Sequence, residues 1–117
     1  MIRRDRRDFV DDMLAAVRAI EAATSGLTYE EFLDEEFRWK AVVLDLQNLG
    51  EAARNLSASL EAANPDIPWR DLIAMRNRLA HGYFGVDLKI VFDTAQLRVP
   101  PLAPLLRRLR ETLDPGS

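Results

Sequence analysis

The sequence contains no cysteine and a single histidine, His81. Disulfide frameworks and thiol catalysis are thereby excluded. So is a zinc site of the Cys/His type, because structural zinc takes four such ligands and catalytic zinc usually three. There is no glycine-rich phosphate loop, no nucleophile-elbow serine and no His-Glu pair at the helical spacing that binds a metal. The acid pairs Asp11-Asp12 and Glu35-Glu36 are adjacent in sequence, so on a helix each pair diverges by about 100° and shares neither a proton nor a metal. No cofactor and no metal is implied. Long apolar runs are also missing: nothing approaches the roughly 20 residues of a membrane span, and Met1-Ile2-Arg3-Arg4 passes directly into charged sequence. Neither a signal peptide nor a membrane partner is expected, and a cytoplasmic location fits.

What is present is the composition of a globular protein: 117 residues, 48% hydrophobic and 30% charged. That length corresponds to one domain, residues 1–117 with a core from 8 to 112, and it buries enough surface to fold without a disulfide or a metal. The net charge of -3 conceals a segregation. Residues 1–7 hold four arginines and one aspartate, residues 8–75 hold fourteen acidic and five basic side chains, and residues 76–117 hold seven basic and four acidic ones. A globally acidic chain repels a polyanion at long range, which argues against a general nucleic-acid coat and leaves room for a small basic site.

The hydrophobic pattern is helical throughout. Asp8 to Thr24 carries Val10, Met13, Leu14, Val17 and Ile20 at helical spacing, and Ser25-Gly26 stops it. Thr28-Tyr29-Glu30-Glu31 has the form of a capping box and predicts a short helical turn to about Leu33. A long helix follows from about Glu35, with the stripe Val42, Leu46, Leu49, Ala53, Leu56, Leu60 and Ala63. Gly50, in its middle, costs on the order of 1 kcal/mol relative to alanine and points to a close crossing there. Pro65 and Pro68 break the chain before a helix over Trp69 to His81, which Gly82 terminates. Asp87 caps a further helix through Phe92 and Gln96, and after Pro100-Pro101 a last helix runs from Leu102 to about Leu113. The expected fold is all-α, an antiparallel bundle of four to five helices that dimerises.

One polar cluster interrupts an otherwise apolar helix end: Arg76, Asn77, Arg78, His81 and Tyr83. Asn77 and His81, four apart, share a face, whereas Arg76 and His81, five apart, are separated by about 140° around the axis. Either the helix unwinds at Ala80-His81-Gly82, or a second copy completes the site across a twofold axis. Cleaving RNA without a metal needs a base for the ribose 2′-hydroxyl, an acid for the leaving 5′-oxygen and a cation for the phosphorane. One chain offers one imidazole; two chains offer two, with two guanidiniums able to grip phosphate bidentately. The structural alternatives are a histidine bonding spare carbonyls at a helix C-terminus and a Tyr83 that merely packs. Arg78 has two equal readings, RNA contact or solvated helix end. Arg107, Arg108 and Arg110 suit the dipole of the last helix without any ligand.

Arg76-Asn77-Arg78-Leu79-Ala80-His81-Gly82-Tyr83 resembles the signature of HEPN-domain ribonucleases, in particular the HepT toxins of HepT–MntA toxin–antitoxin pairs. Phe32, Leu49-Gly50-Glu51-Ala52-Ala53, Pro65-Asp66-Ile67-Pro68-Trp69 and Tyr83-Phe84-Gly85-Val86-Asp87 extend the likeness, in order, over about residues 8 to 112. The resemblance implies a HEPN homodimer whose two motifs face a shared cleft and cleave RNA without a metal. Arg76 is then the phosphate-binding cation and His81 the general base or acid. Asn77 orients His81 or the phosphate, and Arg78 supports RNA binding. Glu51 fits the family block, with a helix pair to Arg54 or Gln47 as its structural reading. Tyr83 is implied as the hydroxyl that a cognate MntA-like nucleotidyltransferase antitoxin modifies with AMP. A competing reading is a non-catalytic helical module that dimerises and docks on such a nucleotidyltransferase.

Overall fold

The computed structural model describes residues 4–81 and 86–115, and within them every regular element is helical. The first helix, α1 (Arg6–Thr24), starts a little before the expected Asp8 because Asp5 and Asp8 form a reciprocal capping box. Its buried residues Val10, Met13, Ala16, Val17 and Ile20 make one stripe, and Gly26, at φ 77°, turns the chain after it. The box read at Thr28 and Glu31 opens α2 (Tyr29–Asp34): the Thr28 hydroxyl accepts from the Glu31 amide at 3.1 Å, and the Glu31 carboxylate accepts from the Thr28 amide at 2.9 Å. Those bonds hold the Glu31 carboxyl below its ordinary pKa. Phe32 on α2 is fully buried.

The long helix is α3 (Glu36–Leu60), and it is central: α1 and α4 (Trp69–His81) both pack along it. Its buried face is Val42, Leu46, Leu49, Ala53, Leu56 and Leu60. Ala63, expected on the same stripe, is exposed in the turn that follows, because the helix ends at Leu60 and the chain then folds back. Asn64 organises that reversal. Its amide donates to the Leu60 carbonyl at 2.9 Å, closing the end of α3, and its own carbonyl accepts from the buried Trp69 indole at 2.9 Å. The start of α4 is thereby fixed against the end of α3.

Asp87 caps α5 (Leu88–Asp93), its carboxylate accepting from the Lys89 and Ile90 amides. The chain beyond it stays helical to Arg98 but widens: Thr94–Arg98 is a π-helical turn, in which the Val99 amide reaches back five residues to the Thr94 carbonyl at 3.0 Å. Gln96 there donates to the carbonyl of Thr24 and so ties this turn to the end of α1. After Pro100-Pro101, α6 (Leu102–Thr112) buries Leu102, Leu106 and Leu109 and packs on α1, where Arg110 grips Asp11 at 2.7 Å. Among the described residues the bundle therefore has four long helices, α1, α3, α4 and α6, with α2 and α5 as short connectors.

Candidate active site

The polar cluster sits on α4, and its placement begins with a missing side chain on α3. Gly50 is buried where α4 crosses, and a Cβ built there would collide with the Cβ of Arg76 and lie 2.5 Å from the Leu72 carbonyl oxygen. The close crossing inferred from Gly50 is therefore real, and the residue pressed against it is Arg76. From that point the guanidinium extends over the flank of α3. Its Nε lies 3.0 Å from Oε2 of Glu51, the residue next to Gly50, and its Nη1 donates to Oδ1 of Asn77 at 3.0 Å.

Glu51 thus has a nearer partner than the ones its own helix offers. Arg54, three residues on, stands at 3.7 Å. Although the Glu51 side chain is 47% exposed, Oε2 itself is shut off from water, and the Nε–H of Arg76 does not point at it in hydrogen-bond alignment. The attraction is therefore Coulombic, between a cation that is 25% exposed and a carboxylate oxygen that water does not reach. Asn77 serves the same arginine and not His81. With two of its nitrogens engaged, Arg76 is oriented before any ligand arrives, and the remaining guanidinium donors are available to a phosphate.

α4 remains helical through His81. The unwinding considered as one way to bring Arg76 and His81 together does not occur within the described residues, and the ring stays about 140° around the axis from Arg76. His81, Asn77 and Arg78 are exposed. Arg78 and His81 lie in the last turn of α4, where positive charge also complements the helix dipole. Tyr83 lies outside the described residues. Of the basic end of α6, Arg110 is committed to Asp11, and that bond raises its pKa; Arg107 and Arg108 are exposed.

On the other flank of Glu51, α1 and α3 leave a groove of about 590 Å³ in which Asp12, Asp45 and Glu51 stand over Ala15, Ala16 and Ala19. Arg4 neutralises Asp12, while burial alone pushes the Asp45 carboxyl up. Among the described residues no group of His, Cys, Asp and Glu is gathered as a metal site would require, and no helix is long and apolar enough to cross a membrane.

A family model described as Ribonuclease HepT-like matches residues 13–109, which include the whole α3–α4 crossing. The chain belongs to the HepT-like ribonuclease family. Among relatives, a protein of Thermococcus cleftensis designated "Probable ribonuclease HepT" is 33% identical over 110 residues, covering 94% of this chain and all of its own. A protein of Methanocaldococcus jannaschii that carries an RNase designation is 35% identical over 114 residues, 97% of this chain and 94% of its own. No solved structure matches the chain. For this HepT-like chain, the sequence pointed to Arg76, Asn77 and His81 directly. The tie from Glu51 to Arg76 was not visible, since it depends on how two helices cross; the signal that could have found it is Gly50, immediately before Glu51.

Proposed function

We propose that this HepT-like protein is a metal-independent endoribonuclease, working as a homodimer whose two α4 ends form one composite cleft. The observation that carries the proposal is the divergence on α4: Arg76 is drawn to the flank of α3 by Glu51 and bonded to Asn77 on its own helix, while the unbroken helix carries the lone histidine to another face. One chain does not converge the two groups; two chains related by a twofold axis can. One His81 takes the proton of the ribose 2′-hydroxyl as its oxygen attacks phosphorus, and the other gives a proton to the departing 5′-oxygen. The products are a 2′,3′-cyclic phosphate and a 5′-hydroxyl. Arg76, preoriented by Glu51 and Asn77, binds the phosphate and offsets the charge of the phosphorane. Arg78, exposed beside His81, supports the RNA strand.

In the biological setting that the family resemblance supports, the enzyme is the cytoplasmic toxin of a toxin–antitoxin pair. A cognate MntA-like nucleotidyltransferase neutralises it by transferring AMP from ATP to the Tyr83 hydroxyl, with pyrophosphate leaving. The added phosphodiester brings negative charge and bulk close in sequence to His81. Intact mass after incubation with the partner and ATP tests this: the wild type gains one AMP, and the Tyr83→Phe variant gains none.

The activity is tested on labelled RNA in EDTA with partner-free protein. Wild type should cleave, and His81→Ala, which removes both the base and the acid of the composite cleft, should be slower by more than the roughly 10²- to 10⁴-fold that a single general acid–base group contributes. Equal rates would refute the assigned mechanism. Absence of cleavage by both, across several RNAs, would favour a non-catalytic binding module that docks on the nucleotidyltransferase.

A further inference from the structure

On the Arg76 side of α3, one turn before Glu51, lies Gln47. Residues four apart on a helix share a face about 6 Å from each other along the axis. Gln47 is one end of a cavity of about 450 Å³ that continues back along α3 through Val43 and Lys40 to Trp39. Leu79 of α4, Val86 and Leu88 at the start of α5 also line it. Its size is that of a site for a nucleoside-sized ligand and not of a packing defect.

The lining has a definite chemistry. Val43, Leu79 and Leu88 supply apolar surface, and the half-buried Trp39 supplies an indole ring. Gln47 presents an amide, at once donor and acceptor, among these apolar groups. Lys40 stands at the mouth, 60% exposed, with Nζ 5.7 Å from the Trp39 ring centroid and 2.8 Å from Glu36. A ligand matched to these walls has flat apolar faces and an edge that both gives and accepts hydrogen bonds. An apolar side chain of a partner protein uses the walls and leaves the Gln47 amide without a role.

We propose that this cavity is a nucleobase subsite: a base of the RNA next to the scissile phosphate stacks against Trp39, its edge is read by Gln47, and its phosphate lies toward Arg76. Stacking on an aromatic ring and hydrogen bonding to an exposed edge are how unpaired RNA bases are recognised. The assignment to RNA rests on the ribonuclease reading, while the binding of a base does not. It makes Gln47 and Trp39 determinants of which base flanks the cut.

Tryptophan emission separates the two. The chain has two tryptophans, and Trp69 is buried with its indole nitrogen bonded to Asn64, so an added ligand perturbs Trp39. The intact protein is titrated with each of the four nucleoside 5′-monophosphates and with ribose 5-phosphate. At least one nucleotide should quench the emission saturably, ribose 5-phosphate should not, and Gln47→Leu should weaken the preferred nucleotide by about tenfold. The isosteric Gln47→Glu variant, which exchanges the amide donor for a second acceptor, should reorder the four bases. In parallel, kcat/KM on oligonucleotides differing only beside the cut should lose its base ranking in Gln47→Leu. Quenching by no nucleotide, or equally by ribose 5-phosphate, overturns the proposal. So do affinities and base rankings untouched in both Gln47 variants, the result expected if the cavity receives an apolar partner side chain. Cleavage of RNA without base preference removes the subsite and leaves the ribonuclease, whereas nucleotide quenching without cleavage does the reverse.

Discussion

Gly50 connects sequence, packing and chemistry at a single position. Adding one methyl there sets it against the Cβ of Arg76 and the Leu72 carbonyl, neither of which is a flexible side-chain tip. Gly50→Ala should therefore push α4 off α3, at a cost of about 1–3 kcal/mol, the range for overpacking. Thermal unfolding reads the stability, and cleavage of RNA reads the displaced arginine; an alanine variant as stable and active as the wild type contradicts the crossing. Glu51→Gln keeps the shape and removes the charge that holds Arg76. It should lower kcat with little loss of Tm, because the Glu51 side chain is 47% exposed and makes no aligned hydrogen bond to Arg76, whose own side chain is 25% exposed. Asp45 provides a pH signature. Burial raises its folded-state pKa above the unfolded value, so its contribution is most favourable in acid and is lost as pH rises through the folded pKa. Asp45→Asn should accordingly raise Tm near pH 7, and the gain should vanish near pH 3. A gain of equal size at both values would rule out ionisation as its cause.

At the scale of elements, what was legible in the sequence had a local cause. The Thr28–Glu31 capping box, the end of α1 at Thr24 and the proline break before Trp69 all depend on residues a few positions apart, and the structure has each of them. Thr28→Ala should cost about 1 kcal/mol, the usual value of an N-cap, measured by urea unfolding. The differences arose where a side-chain bond to the backbone overrides the apolar period. Ala63 continues the apolar period of α3, yet Asn64 closes the helix at Leu60 and leaves Ala63 in the turn. The segment Thr94–Arg98 keeps a helical composition but opens into a π turn, in which Gln96 bonds to the end of α1. The site divides the same way. Arg76, Asn77 and His81 are neighbours on one helix and stood out as polar residues in an apolar setting. The Glu51 contact and the cavity from Trp39 to Gln47 exist only because α3 and α4 cross at Gly50.

At the scale of the molecule, the bundle holds its cation and its imidazole apart. α3 is the spine: α1 covers one side of it and α4 another, where the candidate site lies. On that face one chain presents Arg76 and one His81 directed away from it, so the central claim is that two copies make one active cleft. Mixing subunits tests this most directly. Wild type and His81→Ala are combined in varying ratios, allowed to exchange, and assayed at constant total protein in EDTA. If each cleavage uses both histidines, mixed dimers are inactive and the rate falls as the square of the wild-type fraction. A rate that falls in direct proportion to that fraction would show that each chain cleaves with its own histidine, and would contradict the composite cleft.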